Sequence, residues 1–319
     1  LNLKGSDNIS GERDNSAVSI NMFRERMKPV ASSEGVNIYC PENGRFSFFN
    51  SPYPAHCSFA GIDIYPKIDF GDVAPSPIMG KVTRIRRVKC PKGKMFEGSI
   101  YDYVILLRNL ENPERWVKIL HVEPLVKVGD IVEPGEDLGV LLRSGFFDFW
   151  TDPHVHVEVR KPSDPIRARG GFKLERLIKI DAAEPLKKLS GTVVESKPEY
   201  SLIALNERFE QGIPVDIDGH IGLLDAGIPH YRWIGIHTNI NLPFGGIIRL
   251  CNREIGTVKS IHSNMCIAHC CSPVFILNGR PVGLSLYLYP FSLPLVKIVP
   301  RRPGRLNLKK LKEVSVVIS

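Results

Sequence analysis

Apolar and polar residues alternate with period two in short runs along most of this chain, and Gly and Pro separate the runs. GRFSFF, GIDIYP, GKVTRIRRV, YDYVILLRNL, RWVKILHV, DLGVLLRS and HVHVEVR follow one another between residues 44 and 160. Alternation of this kind sends successive side chains to opposite faces of a strand. Many short strands broken by turn residues predict an all-β sandwich or barrel. A second β-rich block covers about 190 to 300, with LSGTVVES, GIIRLCNREIGTVKSI and VFILNGRPVGLSLYL. Within it LCNREIG and LNGRPVG agree at Leu, Arg, a β-branched residue and Gly, which predicts two similar hairpins 27 residues apart, the second turning at Asn278 and Gly279. Between the blocks, KIDAAEPLKK turns polar and marks a boundary. The expected organisation is a polar N-terminal extension over 1–40 with one helix-compatible piece, AVSINMFRERM; a β domain over 41–180; and a β-rich C-terminal domain over 181–319 ending in a basic tail.

Composition narrows the function classes. With 319 residues, 43% hydrophobic and 24% charged, the chain is long enough for two cores, and the absence of an 18-residue apolar run argues against a membrane span. The first residues are polar and show no secretory signal, although a start at Leu rather than Met leaves room for a leader already removed. The seven cysteines are odd in number and lack CxxC spacing, which fits a reducing compartment and slightly favours a cytoplasmic location. The cluster HSNMCIAHCC offers His262, Cys266, His269, Cys270 and Cys271, but on one strand their side chains diverge, so buried packing is the expectation there rather than a second zinc site. Net charge is +8, and Lys81 to Lys94 carries seven Lys/Arg with no acid, while Arg301 to Lys312 carries six. Such stretches suit an anionic polymer by counterion release, or else form a solvated strand face and a mobile tail. No helix-turn-helix or aromatic RNA-binding signature accompanies them, so no specific nucleic-acid partner is expected.

The chemistry concentrates in histidines. In DPHVHVEVR, His154, His156 and Glu158 fall on one strand face and Val155 and Val157 on the other. Two imidazoles so placed can reach one small target such as a metal ion and its water, or simply mark a half-solvated face. His56 sits in the Pro-rich loop SPYPAHCSFAG with Asp63 on the following strand, and His121 ends the strand RWVKILH on the face of Val117 and Ile119. A catalytic zinc takes three protein ligands and leaves a position open for water. The segment supplies that many, with two imidazoles to spare. The remaining His220, His230 and His237 are expected in loops or on the surface.

Taken in order, AGIDIYP, APSPIMGKVTRI, WVKILHVEPL, VKVGDIVEPGEDLGVLLRSG and DPHVHVEVRKPSDP resemble the motifs of the lysostaphin-type zinc metalloendopeptidases, which cleave peptide cross-links in peptidoglycan. The resemblance covers about residues 46–165. It implies a mainly β fold, a duplicated hybrid motif with a barrel-sandwich-like antiparallel core, followed here by the second β-rich domain. Carried over residue by residue, it implies that His56, Asp63 and His156 hold one Zn2+ per chain, and that His121 and His154 flank the bound water. His154 is then the general base and His121 its partner or the oxyanion donor. The implied substrate is a peptide or a peptide-cross-linked polymer. Tyr53, three residues before His56, is in place to donate to an oxyanion or simply to pack the loop.

Two departures from the family pattern stand out. His56 and Asp63 are spaced H-x6-D where the family has H-x3-D, the extra residues lying within CSFAG, and FFDFWTDP replaces the usual small-residue turn before the paired histidines. A lengthened loop is cheap in entropy, and the aromatics are expected to narrow or reshape the substrate groove. The alternative function is a catalytically inactive module of the same fold that binds a polymer or a protein. The VKVGDIVEPGEDLGVL hairpin is also shared with biotin- and lipoyl-carrier barrels, but its tip reads EPGED without the lysine a carrier needs.

Overall fold

The computed structural model describes residues 26–181 and 184–319, and within them the chain is nearly all β. The predicted strands are present. Seven of them form an antiparallel sheet in the order Ile131–Val132, Gly80–Lys89, Tyr101–Asn109, Trp116–Leu120, Val155–Arg160, Ile62–Tyr65 and Arg45–Ser47. Its inner face carries Ile105, Leu107, Val117, Ile119, Val155, Val157 and Val159, all buried in one core. That core is shared with a smaller sheet in which Asp137–Leu141 lies between Val73–Pro75 and Val122–Pro124. The arms of VKVGDIVEPGEDLGVL therefore do not pair with each other: Ile131–Val132 pairs with Gly80–Lys89, and Asp137–Leu141 belongs to the small sheet.

Strands are present inside the segment read as a polar lead. Met27–Ser33 and Val36–Pro41 form a hairpin whose Val30, Val36, Ile38 and Cys40 are buried in the same core. The helix-compatible piece AVSINMFRERM lies outside the described residues except for its last two, and the last of these already starts the first strand.

A second core begins at Leu186. Six strands close into a ring: Ile213–Ile217, Ile247–Leu250, Arg253–His262, Met265–Cys270, Trp233–His237 and His220–Ile228, the last pairing back to the first. His220–Ile228 leaves the ring at its end, where Ala226, Gly227 and Ile228 pair with Arg280–Leu286, the start of an open sheet continuing through Leu295–Pro300, Ser201–Leu205, Ser190–Ser196 and Glu313–Ser315. Both predicted hairpins are present. Each turns through two residues of positive φ, Cys251 (50°) with Asn252 (61°) and Asn278 (51°) with Gly279 (72°), as tight hairpins with right-handed strand twist require.

The two units pack closely. Leu223, Met265, Ile267 and Leu288 of the C-terminal part enter the first core. Phe49 lies so close to Gly235 that a Cβ there would stand 1.8 Å from the ring. Asp225, fully buried, accepts hydrogen bonds from the Ser47 hydroxyl (2.5 Å) and the Phe48 amide (2.7 Å), and His237 Nε2 lies 3.1 Å from it. His237 is thus buried at this junction, which corrects the expectation of a loop or surface position, whereas His230 lies in the turn after Ile228 as expected, half-buried and stacked on Trp150 at 4.4 Å. His220 is exposed as expected. In HSNMCIAHCC, Cys266 and Cys270 are buried as small hydrophobes would be.

Candidate functional site

Four histidines meet beside one carboxylate on the outer face of the seven-stranded sheet, and each is anchored through one ring nitrogen. Asp63 and His156 are direct cross-strand neighbours, so their side chains share a face. His56 arrives from the loop. The lengthened H-x6-D turn is a 3-10 turn, His56–Ser58, stopped by Phe59 in a left-handed conformation, and it returns the chain to Ile62 without moving His56 away from Asp63.

The geometry suits a metal ion. His56 Nε2 is 3.4 Å from Asp63 Oδ1 and 3.2 Å from His156 Nδ1, and His156 Nδ1 is 2.7 Å from Asp63 Oδ1. Tetrahedral zinc with bonds of 2.0–2.1 Å places its ligand atoms about 3.3 Å apart, so two of the three edges fit as they stand. The third is a hydrogen bond that a metal would replace. His56, Asp63 and His156 form a buried group with all three ligand atoms within 4.8 Å of one another. The other nitrogens are tied back: His56 Nδ1 bonds to the Phe48 carbonyl at 2.7 Å, and His156 Nε2 to Glu158 Oε1 at 3.1 Å. A ligand histidine held by a carboxylate through its second nitrogen is the usual support of a protein metal site. Glu158 is itself clamped by Lys118 and by Arg160 (2.9 Å).

The charges follow from burial and proximity. Burial disfavours a charge on Asp63, yet the surrounding His56, His154 and His156 hold its carboxyl well below the ordinary range. For Glu158, burial is likewise outweighed, by His156 and Lys118, and the carboxyl is lowered to about 2. Burial opposes a charge on His156 as well, but its hydrogen bonds to Asp63 and Glu158 raise it to about 9. An entering metal would have to displace that proton.

His154 and His121 stand beside this group. His154 Nδ1 donates to the Asp152 carbonyl at 2.9 Å, and Nε2 is 3.7 Å from Asp63 Oδ2. Burial pulls His154 down to about 4, so Nε2 is a proton acceptor at neutral pH. His121 does not stay with Val117 and Ile119. Its φ of 72° turns the imidazole out of the strand alternation and onto the His154 side, with ring centroids 5.0 Å apart. Asp102 holds it there, accepting from the His121 amide (2.9 Å) and lying 2.6 Å from Nδ1, while the Ser144 hydroxyl donates to Asp102 at 2.6 Å.

Sequence reading missed Asp102 and Ser144. The available signal was a single acid inside the apolar run YDYVILL, which had to find a buried partner. Glu158 was placed on the correct face but not given its contact with His156.

A cleft of about 370 Å³ opens over these groups. The aromatic segment forms one wall: Phe147 packs on His121 (4.6 Å) and His154 (4.8 Å). Tyr53 donates to the Phe146 carbonyl at 2.6 Å, which ties the two loops together across the rim. Tyr231, from the C-terminal part, also lines the cleft.

No curated protein matches the chain. Among solved structures, the NMR solution structure of lysostaphin is similar over 87% of this chain and 96% of that one, with 15% identity and a TM-score of 0.27. Residues 37–176 match the family described as Domain of unknown function (DUF8155) N-terminal domain, a span that contains His56, Asp63, His121, His154 and His156.

Proposed function

We propose that the chain is a metal-dependent hydrolase of peptide bonds. The observation that carries this is the convergence of His56 Nε2, Asp63 Oδ1 and His156 Nδ1, with the other nitrogen of each imidazole tied to Phe48 or Glu158. The ordered motifs that resemble the lysostaphin-type endopeptidases support the same reading. Zinc held by these three atoms would supply a Lewis acid and a water whose pKa is brought to about 7.

The chain's own groups then divide the work. His154, with its Nδ1 proton given to the Asp152 carbonyl, offers Nε2 as acceptor for a proton from the attacking water. His121, fixed by Asp102, presents its Nε2 side to the same space and serves the oxyanion or the departing amine. Phe147 keeps water from the two rings. Tyr53 spends its hydroxyl proton on Phe146 and ties the rim.

The test is metal content by elemental analysis together with peptide cleavage, for the wild type, His156→Ala and His154→Ala. About one zinc per chain is expected in the wild type and in His154→Ala and none in His156→Ala, with cleavage in the wild type alone. A wild type that takes up no zinc would overturn the reading. Zinc uptake without cleavage of any peptide would leave a binding module of the same fold.

A further inference from the structure

The strand register fixes which basic side chains face the cleft. On the outer face of the sheet, Arg86 is the cross-strand partner of Val104, Val104 of Leu120, Leu120 of His156, and His156 of Asp63. Cross-strand partners share a face, so one row runs from the candidate metal ligands to Arg86. The adjacent row runs Glu158, Lys118, Leu106, Arg84. Leu120, Val104 and the neighbouring Val88 line the cleft. Its floor away from the histidines is therefore apolar, and Arg86 and Arg84 follow on the same sheet face beyond the lining residues.

These arginines differ from the others on their strand. Arg84 and Arg86 are exposed and have no ion-pair or hydrogen-bond partner among the described residues. Arg87 points to the opposite face, where it lies over the Tyr101 ring at 4.4 Å, next to its cross-strand partner Tyr103. Three strand spacings of about 4.8 Å put Arg86 about 14 Å from His156. An extended peptide advances about 3.4 Å per residue, so that distance is about four residues.

We infer that the cleft takes an acidic peptide, laid in extended form across the strands, with apolar side chains over Leu120 and Val104 and a carboxylate about four residues from the scissile bond paired with Arg86 and Arg84. This rests on the peptide-hydrolase reading and adds a substrate class to it. The opposite orientation of the chain is covered by placing the acid on either side of the peptide's centre.

Binding and cleavage are measured separately. Short fluorescein-labelled peptides with an apolar centre carry Asp, Gln or Lys about four positions to one side or the other, and anisotropy reads their affinity for the full-length His154→Ala chain. For one orientation the Asp peptide is expected to bind roughly tenfold tighter than the Lys peptide, with the ratio shrinking at high salt. Arg84→Glu/Arg86→Glu should reverse that order, and Arg87→Glu, the same charge change on the other face, should not. Equal affinities, a preference that survives the double substitution, or displacement by an oligonucleotide with no preference among the peptides would each overturn the inference. Cleavage of the peptides by the wild type without acidic preference would sink it while leaving the hydrolase reading standing. An acidic preference in binding with no cleavage would do the reverse.

Discussion

His121 shows how one backbone angle decides a site. A non-glycine residue at φ 72° is held there against an intrinsic cost of about 1 kcal/mol or more, and the two hydrogen bonds from its amide and Nδ1 to Asp102 offset that cost. Asp102→Asn keeps the size of the side chain but removes the charge behind His121. If the proposed roles are right, it should lower peptide turnover about 10–100-fold and leave bound zinc unchanged. Loss of zinc instead would place Asp102 in folding rather than in the reaction. Glu158 acts on the other side of the group. Glu158→Gln should weaken zinc affinity about 10–100-fold in a chelator competition, because the carboxylate that orients His156 is gone. Unchanged affinity would remove Glu158 from the support of the metal.

At the level of elements, the lengthened turn and the sheet register act together. The cross-strand pairing of Asp63 with His156 brings IDIY and VHVEVR together, and the lengthened loop is taken up by the 3-10 turn His56–Ser58 and the left-handed Phe59, which leave His56 within reach of Asp63. The strand Trp233–His237 supports that loop from below through Gly235, which gives way to Phe49. Gly235→Ala should destabilise the protein by about 1–3 kcal/mol, since the ring has to move out of a packed core. Urea unfolding measures this, and adding Phe49→Leu should restore part of the loss. No recovery in the double variant would mean that the strain lies elsewhere.

Across the whole molecule, the two β units are joined by buried charge as well as by apolar packing. Asp152, two residues before His154, pairs with Arg45 and with Lys297 Nζ (2.7 Å), and Lys297 also donates to the Trp150 carbonyl. Burial opposes every charge in this group. Asp152 has two cations beside it and is still lowered to about 2, whereas Lys297 has one anion and a neighbouring arginine and falls to about 8. The folded carboxyl therefore lies below its unfolded value of about 3.9, so its stabilisation is complete above about pH 4 and is lost as pH falls toward 2, a change of roughly 2–3 kcal/mol. Acid unfolding followed by circular dichroism should be less steep in Asp152→Asn than in the wild type by that amount, the remaining slope belonging to Asp63, Asp102 and Glu158. At neutral pH the same variant should cost about 3–5 kcal/mol, because Arg45 keeps its buried charge without a partner and Lys297, already lowered, has to give up its proton. A variant as stable as the wild type at pH 7 would show that the group contributes nothing to joining the units.

Much of this was legible in the residues alone. Period-two alternation determined which segments are strands and which face each side chain takes, because the strand repeat is two whatever the surroundings; the shared face of His154, His156 and Glu158 follows from it, while the turn at Asn278 and Gly279 follows from the ease with which that pair takes positive φ. The resemblance also singled out five residues that lie close together, four of them, Asp63, His121, His154 and His156, lining one cleft and His56 beside Asp63 and His156. The tertiary structure decided what depends on contacts distant in sequence. It turned His121 out of its strand face onto Asp102, buried His237 between two units, sent the arms of VKVGDIVEPGEDLGVL to different sheets, and brought Tyr231 to the cleft. Alternation is a local property of the backbone. Register between distant strands and the pairing of buried charges are set only when the packed core has brought them together.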